Sequence, residues 1–238
     1  MFNNESTKRI LKEVVELIPE DTEVYLFAGT TRNALYFSFF GEEMIQRDFD
    51  CIVIGDGEKF ADNLINAGFV FGSKNSEKSK ILKKPRTDNP IHQFNDWVYL
   101  DCKIYSHENT IEDVLVKITD FTLSGVALSL KDINSDDWIR QIISIPNALE
   151  DIKSKTIKIV NHYPLNIYKI IRLLSQGFIL SEDVDIQMCV NKRTEATTER
   201  LQKEINKTIN YVGGEEATQK IIDSLEITKD ILVLPAEN

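Results

Sequence analysis

The sequence is poor in the residues that crosslink and punctuate a chain: of 238 residues only 3 are cysteine, 10 glycine and 6 proline. Cys51, Cys102 and Cys189 lie far apart, form no Cys-x-x-Cys pair and are flanked by apolar residues. This excludes a disulfide scaffold and argues against a cysteine metal site, so all three read as small core side chains. No low-complexity segment or repeat is evident, and no apolar run approaches the ~20 residues of a membrane-spanning helix. The opening MFNNESTKRILKEVVELIPE lacks the uninterrupted apolar centre of a signal peptide and predicts an amphipathic helix, hence a cytoplasmic protein with no membrane association. Basic charge is also short, with 28 Lys and Arg against 38 Asp and Glu and a net charge of -10. Proteins that grip nucleic acid over a wide area neutralise phosphates with a basic face, so no extensive nucleic-acid-binding surface is expected. What is present is apolar mass, 42% of residues, enough to bury the core of one large domain or two modest ones.

The first part of the chain alternates strand and helix patterns. Ile10, Leu11, Val14, Val15, Leu17 and Ile18 recur at helical spacing up to Pro19; EVYLFA (23–28) predicts a short buried strand, and Gly29 with two threonines predicts a tight turn into a short helix over Asn33 to Phe40. FDCIVI (49–54) is a second strand, Glu58 to Ala67 a helix with Gly68 at its C-terminal cap, and Trp97 to Tyr105 the longest strand. After about residue 145 helical patterns dominate, over Asn166 to Leu180, Thr194 to Val212 and Glu215 to Ile231, with few strand signals. The reading is an α+β chain: a mixed-sheet domain over 1–145, then a helical domain over 146–238. The acidic excess lies in the first 144 residues, except for Lys74, Lys78, Lys80, Lys83, Lys84 and Arg86, broken by Glu77 alone. This stretch is expected as a solvated loop or exposed edge strand, with a phosphate-contacting loop as the other reading.

The most informative residues are Asp48 and Asp50, at the entry to the second strand. Alternate residues on a strand share a face, so both carboxylates point one way while Phe49 and Cys51 point the other. Side by side they repel, and divalent cations relieve the repulsion; two such metals ~3.5–4 Å apart clamp an in-line displacement at phosphorus. Asp101, a lone charge within the apolar strand VYLDCKIY, is placed to supply a third carboxylate. The other constellation, Ala28-Gly29-Thr30-Thr31-Arg32, lies between strand and helix. There a glycine admits a phosphate to the backbone, the helix start offers N–H donors, and the threonine hydroxyls and Arg32 add hydrogen bonds and charge; an ordinary strand-to-helix turn is the plainer alternative.

In this order, the turn and the Asp-x-Asp pair resemble the head domain of the polymerase-beta-type nucleotidyltransferase superfamily, closest to the tRNA nucleotidyltransferase and poly(A) polymerase head group. The family carries Gly-Gly-x-x-Arg-Asp where this chain has Ala28 to Asn33, then Asp-x-Asp. DFTLSGVALSL (120–130) is similar to a later family segment, Leu149 to Ile152 to its Asp-Leu element, and Asn166 to Phe178 to its base-reading Glu-Asp-x-x-Arg helix. The likeness spans roughly residues 20 to 180. It implies a nucleotidyltransferase head with a short mixed sheet and flanking helices, followed by helices. It also implies that Asp48, Asp50 and Asp101 bind two Mg²⁺ ions, or Mn²⁺, with Asp101 drawn from the wider superfamily. Gly29, Thr30, Thr31 and Arg32 then face the triphosphate of an NTP, ATP among them, Asp120 lies on the sugar side, Lys169 stands where the base-reading arginine would be, and Arg172 matches a second arginine one turn later. The chain departs from the family pattern at Ala28, at Ile118 and Thr119, at Ser124 and Gly125, and at Leu165 and Asn166, and it ends early for a full tRNA-grasping body and tail.

The expected activity is therefore metal-dependent transfer of a nucleoside monophosphate from an NTP to an acceptor hydroxyl, on an RNA 3′ end, a small molecule or a protein side chain. The alternative is a non-catalytic nucleotide-binding or interaction protein that retained the fold. Asp120 also reads as a helix N-cap and Arg172 as half of a structural ion pair. His92, His107 and His162 share no spacing with carboxylates, Trp97 and Trp138 are expected to pack at element edges, and Leu201, Ile205 and Ile209 to line a helical bundle.

Overall fold

In the computed structural model, residues 5–42, 44, 48–72, 75–85, 97–227 and 230–234 are described, the side chains of 5–7 excepted. Lys74, Arg86 and His92 lie outside the described residues. The chain divides into two compact units, Met1–Ile118 with Ser124–Leu149, and Thr119–Leu123 with Glu150–Asn238.

The first unit opens with α1 (Glu5–Glu16), whose Ile10, Leu11 and Val14 are buried. Strand β1 (Glu23–Phe27) runs directly into α2 (Ala28–Phe40), so Gly29 to Arg32 form the first turn of the helix, and the expected separate turn is absent. The sharp change of direction is absorbed by Ala28, which takes a left-handed φ of 49°. There follow β2 (Phe49–Ile54), α3 (Gly57–Asn66), β3 (Val70–Phe71), β4 (Ser79–Pro85), β5 (Trp97–Tyr105), α4 (Ile111–Ile118), β6 (Val126–Ser129) and β7 (Ile143–Ser144). Asp56 caps α3 by accepting from the Lys59 amide at 2.9 Å, and Gly68 ends its turn at φ 90°.

All seven strands form one mixed sheet in the order β3-β4-β5-β2-β1-β6-β7. Strands β2 and β5 pair in parallel, with Asp50 opposite Asp101 and Cys51 opposite Cys102; the other neighbours in this sheet are antiparallel. Alternation along β5 sorts the two faces: Val98, Leu100 and Cys102 are buried, whereas Trp97, Tyr99, Asp101 and Lys103 are half-buried on the opposite side. Of the lysine-rich stretch, Lys78 lies in an exposed turn, while Lys80, Lys83 and Lys84 lie on strand β4, in the interior of the strand order and not at an edge. Its even-numbered lysines point to the helix side, Lys80 pairing with Glu58 at 2.7 Å and Lys84 with Glu13 at 2.5 Å.

The second unit takes in most of α5 (Ala148–Lys153), then β8 (Thr156–Ile157), α6 (Asn166–Leu174), β9 (Ile179–Leu180), α7 (Ile186–Lys192), α8 (Thr198–Val212) and α9 (Glu215–Ser224). It is mainly helical, as expected, around buried Ile167, Tyr168, Ile170, Ile171, Leu201, Ile205 and Ile222. Three details differ. A parallel pair, β8 with β9, interrupts the helices. Helix α6 stops at Leu174 because the chain reverses through Gly177 at φ 82°. Helix α7 was not expected from the sequence, and it begins where Asp185 accepts from the Met188 amide at 2.8 Å. Among the described residues no helix is long and apolar enough to cross a membrane.

Candidate active site

The site of interest in the first unit forms where β2 and β5 meet the start of α2. Register pairing places Asp50 and Asp101 side by side on the outer face of two adjacent parallel strands. Asp48 lies just before β2, exposed, and its charge reaches Asp101. Burial, opposed by Lys103 and reinforced by Asp48, raises the pKa of the Asp101 carboxyl above its ordinary value. This is the penalty expected of a carboxylate drawn out of water beside a like charge, offset only in part by Lys103.

Gly29 faces one of these carboxylates, Asp50. A β-carbon at this position would lie 3.9 Å from Asp50 Oδ2 and 3.8 Å from Arg32 Nη2, so the missing side chain leaves space between an acid and a base. The Arg32 guanidinium donates from Nε and Nη2 to Asn33 Oδ1, at 3.3 and 3.0 Å, and from Nη1 to Ser124 Oγ at 3.4 Å. Those bonds hold a half-exposed cation beside Gly29.

The two threonines part from the expectation that their hydroxyls meet phosphate. Both are fully buried. Thr30 Oγ1 donates to the Asp48 carbonyl at 3.4 Å and accepts from the Asp50 amide at 3.2 Å, while Thr31 Oγ1 donates to the Leu26 carbonyl at 2.8 Å. Thr30 therefore clips the Asp48–Asp50 segment to α2, a positioning role that the sequence did not reveal because it depends on contact between residues 18 positions apart.

Asp120, Lys169 and Arg172 lie in the second unit. Asp120 Oδ1 accepts from the Phe121 amide at 3.0 Å and its Oδ2 is bound by Lys169 Nζ at 2.5 Å, so the expected sugar-side and base-side residues are paired with one another. Arg172 Nη1 donates to Glu204 Oε2 at 2.8 Å and Thr208 Oγ1 at 2.6 Å, joining α6 to α8. Buried polar atoms without partners collect nearby in sequence: Thr119 Oγ1, Thr122 Oγ1, His162 Nδ1 and Asn166 Oδ1.

Among the described residues no group of three His, Cys, Asp or Glu side chains is gathered to hold a metal ion. The residues nevertheless fit a hard divalent cation. Mg²⁺ is commonly held by one or two carboxylates with water and substrate phosphates completing its shell, and needs no all-protein cage. An oxygen-only pair, Asp50 and Asp101, beside the space left by Gly29, is that kind of donor set.

As a sequence the chain matches no family profile and no curated protein. Its fold does match solved structures. A tRNA-processing enzyme in an apo form superposes with a TM-score of 0.65 at 20% identity, covering 95% of this chain and 57% of that one. The Thermotoga maritima CCA-adding enzyme complexed with tRNA gives 0.67 at 16% identity, covering 94% and 52%. A tRNA nucleotidyltransferase complexed with a primer tRNA and an incoming ATP analogue gives 0.59 at 20%, covering 92% and 59%. The chain thus spans between half and three-fifths of the length of these structures. At such identities the likeness establishes the fold alone: a mixed sheet with flanking helices followed by further helices, the arrangement these structures share.

Proposed function

We propose that the protein is a divalent-metal-dependent nucleotidyltransferase that moves a nucleoside monophosphate from an NTP, ATP among the candidates, to an acceptor hydroxyl. The observation that carries this reading is the register pairing of Asp50 with Asp101, on the face opened by Gly29 and flanked by Arg32. The matched solved structures, described as tRNA nucleotidyltransferases and CCA-adding enzymes, support it at the level of fold.

Asp50 and Asp101 would hold Mg²⁺ or Mn²⁺, with Asp48, exposed just ahead of β2, as the further carboxylate. When bound, the ions supply charge neutralisation for the carboxylates and for the phosphates. Gly29 lets the triphosphate approach the first turn of α2, where the positive end of the helix dipole favours an anion. Arg32, oriented by Asn33 and Ser124, stabilises negative charge on the departing group. Asp101, the register partner of Asp50, would take the acceptor proton. The acceptor oxygen forms a bond to the α-phosphorus, the bond from that phosphorus to the bridging oxygen breaks, and pyrophosphate leaves with the electron pair.

The test is incubation with each α-labelled NTP and Mg²⁺ alongside total RNA, small-molecule extract and the protein itself. Transfer of label by the wild type, and its loss in Asp50→Asn with the melting temperature kept, is the expected result. Undiminished transfer in folded Asp50→Asn would overturn the proposal. A second reading, nucleotide binding without transfer, is favoured by the commitment of Lys169 to Asp120 and of Arg172 to Glu204. It expects NTP-dependent thermal stabilisation with no labelled product.

A further inference from the structure

Lys103 shares the face of Asp50 and Asp101, and the transfer chemistry gives it no task. It follows Asp101 by two positions on β5, a step of ~6.6 Å along the strand. Its register partner on β2 is Ile52, which in turn pairs with Tyr25 on β1, and alternation puts Phe27 on that same face, next to the start of α2. Lys103 Nζ lies 5.2 Å from the centroid of the Phe27 ring. Neighbouring strands are ~4.8 Å apart, so the side chain reaches a ring on β1 only by crossing β2, with its apolar stem over buried Ile52. The ammonium is thereby carried toward the turn where Gly29 faces Asp50.

Two features set Lys103 apart from the lysines on the helix side of β4. Lys80 and Lys84 are tied to Glu58 and Glu13, whereas Lys103 closes no ion pair among the described residues. A ring and its own stem fix it instead, so the arrival of a metal ion takes no partner from it. Its charge nonetheless reaches Asp101 and favours the ionised carboxyl, against burial and Asp48. An ammonium near the acids but outside ion-pair contact leaves the space between them to a ligand and sets a fixed positive charge at its edge. The donor set matches that arrangement: Asp50 and Asp101 are in register, Asp48 stands exposed ahead of β2, and the three are not gathered as one ligand group. Two carboxylates suffice for one Mg²⁺, while a second divalent ion would meet the repulsion of both the first ion and the ammonium.

We propose that Lys103 is a built-in cation of this site, taking the electrostatic place of a second metal, so that Asp50 and Asp101 accept a single divalent ion. This deepens the transfer reading above and rests on it for the identity of the site, while the number of ions and the influence of Lys103 on them are measured without any transfer.

The test is a Mn²⁺ titration of the metal-free full chain in the absence of nucleotide, with bound ions counted from the loss of the free-ion EPR signal. Wild type, Lys103→Met and Lys103→Arg are compared. The wild type is expected to hold one Mn²⁺ per chain. Lys103→Met, which keeps the stem and drops the charge, should bind Mn²⁺ roughly 5- to 150-fold more tightly, the span usual for coupling between two bound groups, and Lys103→Arg should stay close to the wild type. Melting temperatures in EDTA add a readout that a packing role would not move. The shift caused by Lys103→Met should be less favourable by about 2–4 °C in the wild-type background than in Asp101→Asn, because only the first retains the charge that Lys103 offsets. Two ions on the wild type, equal Mn²⁺ affinity in folded Lys103→Met, no Mn²⁺ bound by either protein, or equal melting shifts in the two backgrounds overturns the proposal. Tighter Mn²⁺ binding by Lys103→Met with no acceptor labelled from any NTP would sink the transfer reading and leave the role of Lys103 standing. Label transfer by a wild type that holds two ions would do the reverse.

Discussion

Residue scale separates strain from function. Ala28 adopts φ 49°, a conformation that costs an L-residue about 1–2 kcal/mol and glycine nothing. Glycine loses about 0.4–1 kcal/mol more entropy on folding, so Ala28→Gly should stabilise the protein by roughly 0.5–1 kcal/mol, read as a higher melting temperature. Asp101 makes the opposite point about carboxylates. Burial and the charge of Asp48 disfavour its ionised form, so the folded state holds that charge at a cost. Asp101→Asn should therefore raise the melting temperature in EDTA at neutral pH while ending the proposed nucleotidyl transfer. A structural carboxylate, made favourable by its partners, would lower it. The Asp48–Asp50 spacing and the lone charge of Asp101 were legible in the sequence because strand alternation and the rarity of isolated charges in apolar strands are local rules. The duties of Thr30 and Thr31 were not, since the same hydroxyls suit a phosphate or a backbone carbonyl and only the approach of β2 to α2 selects between them.

Among the elements, β2, β5, α1 and α3 were legible from periodicity, and β4 was misread. Its lysines suggested solvent, yet the strand lies between β3 and β5. Charge pattern alone does not show that acidic residues of other elements meet these lysines. Lys84 Nζ donates both to Glu13 and to the Ala67 carbonyl at the end of α3. Lys84→Ala should cost about 1–2 kcal/mol in urea unfolding, leaving a carbonyl and a carboxylate short of a partner. Lys83→Ala, on the other face, should change stability by less than about 0.5 kcal/mol. Denaturant midpoints of the two variants separate the faces of one strand. In the second unit, β8 and β9 escaped notice because two-residue strands carry too little sequence to show an alternation.

At the scale of the whole molecule, the division into units does not follow the chain, because Thr119–Leu123 packs with the later helices through the Phe121–Ile159 bridge and the bond from the Thr122 amide to the Lys158 carbonyl at 3.0 Å. A boundary drawn along a sequence has no means to express that exchange. Within the second unit Arg172, Glu204 and Thr208 form a largely buried cluster, and Arg172→Ala should cost about 2–3 kcal/mol by leaving Glu204 uncompensated. Burial pushes the Glu204 carboxyl up, but Arg172 and Lys207 outweigh it and hold its pKa below the ordinary value. A depressed folded value means that its stabilisation is complete above the unfolded pKa, about 4.3, and is lost as pH falls through the folded one. The stability gap between wild type and Glu204→Gln, measured by denaturant titration, should shrink as pH is lowered from 6 toward 3. The parallel pairing of β2 with β5 has one more consequence. Asp50 and Asp101 alternate with Cys51 and Cys102, so deleting or inserting a single residue ahead of either strand would rotate sulfur outward and oxygen inward. The exposed donor set would then prefer thiophilic ions such as zinc over magnesium, which makes the frame of these two strands the selector of elemental preference.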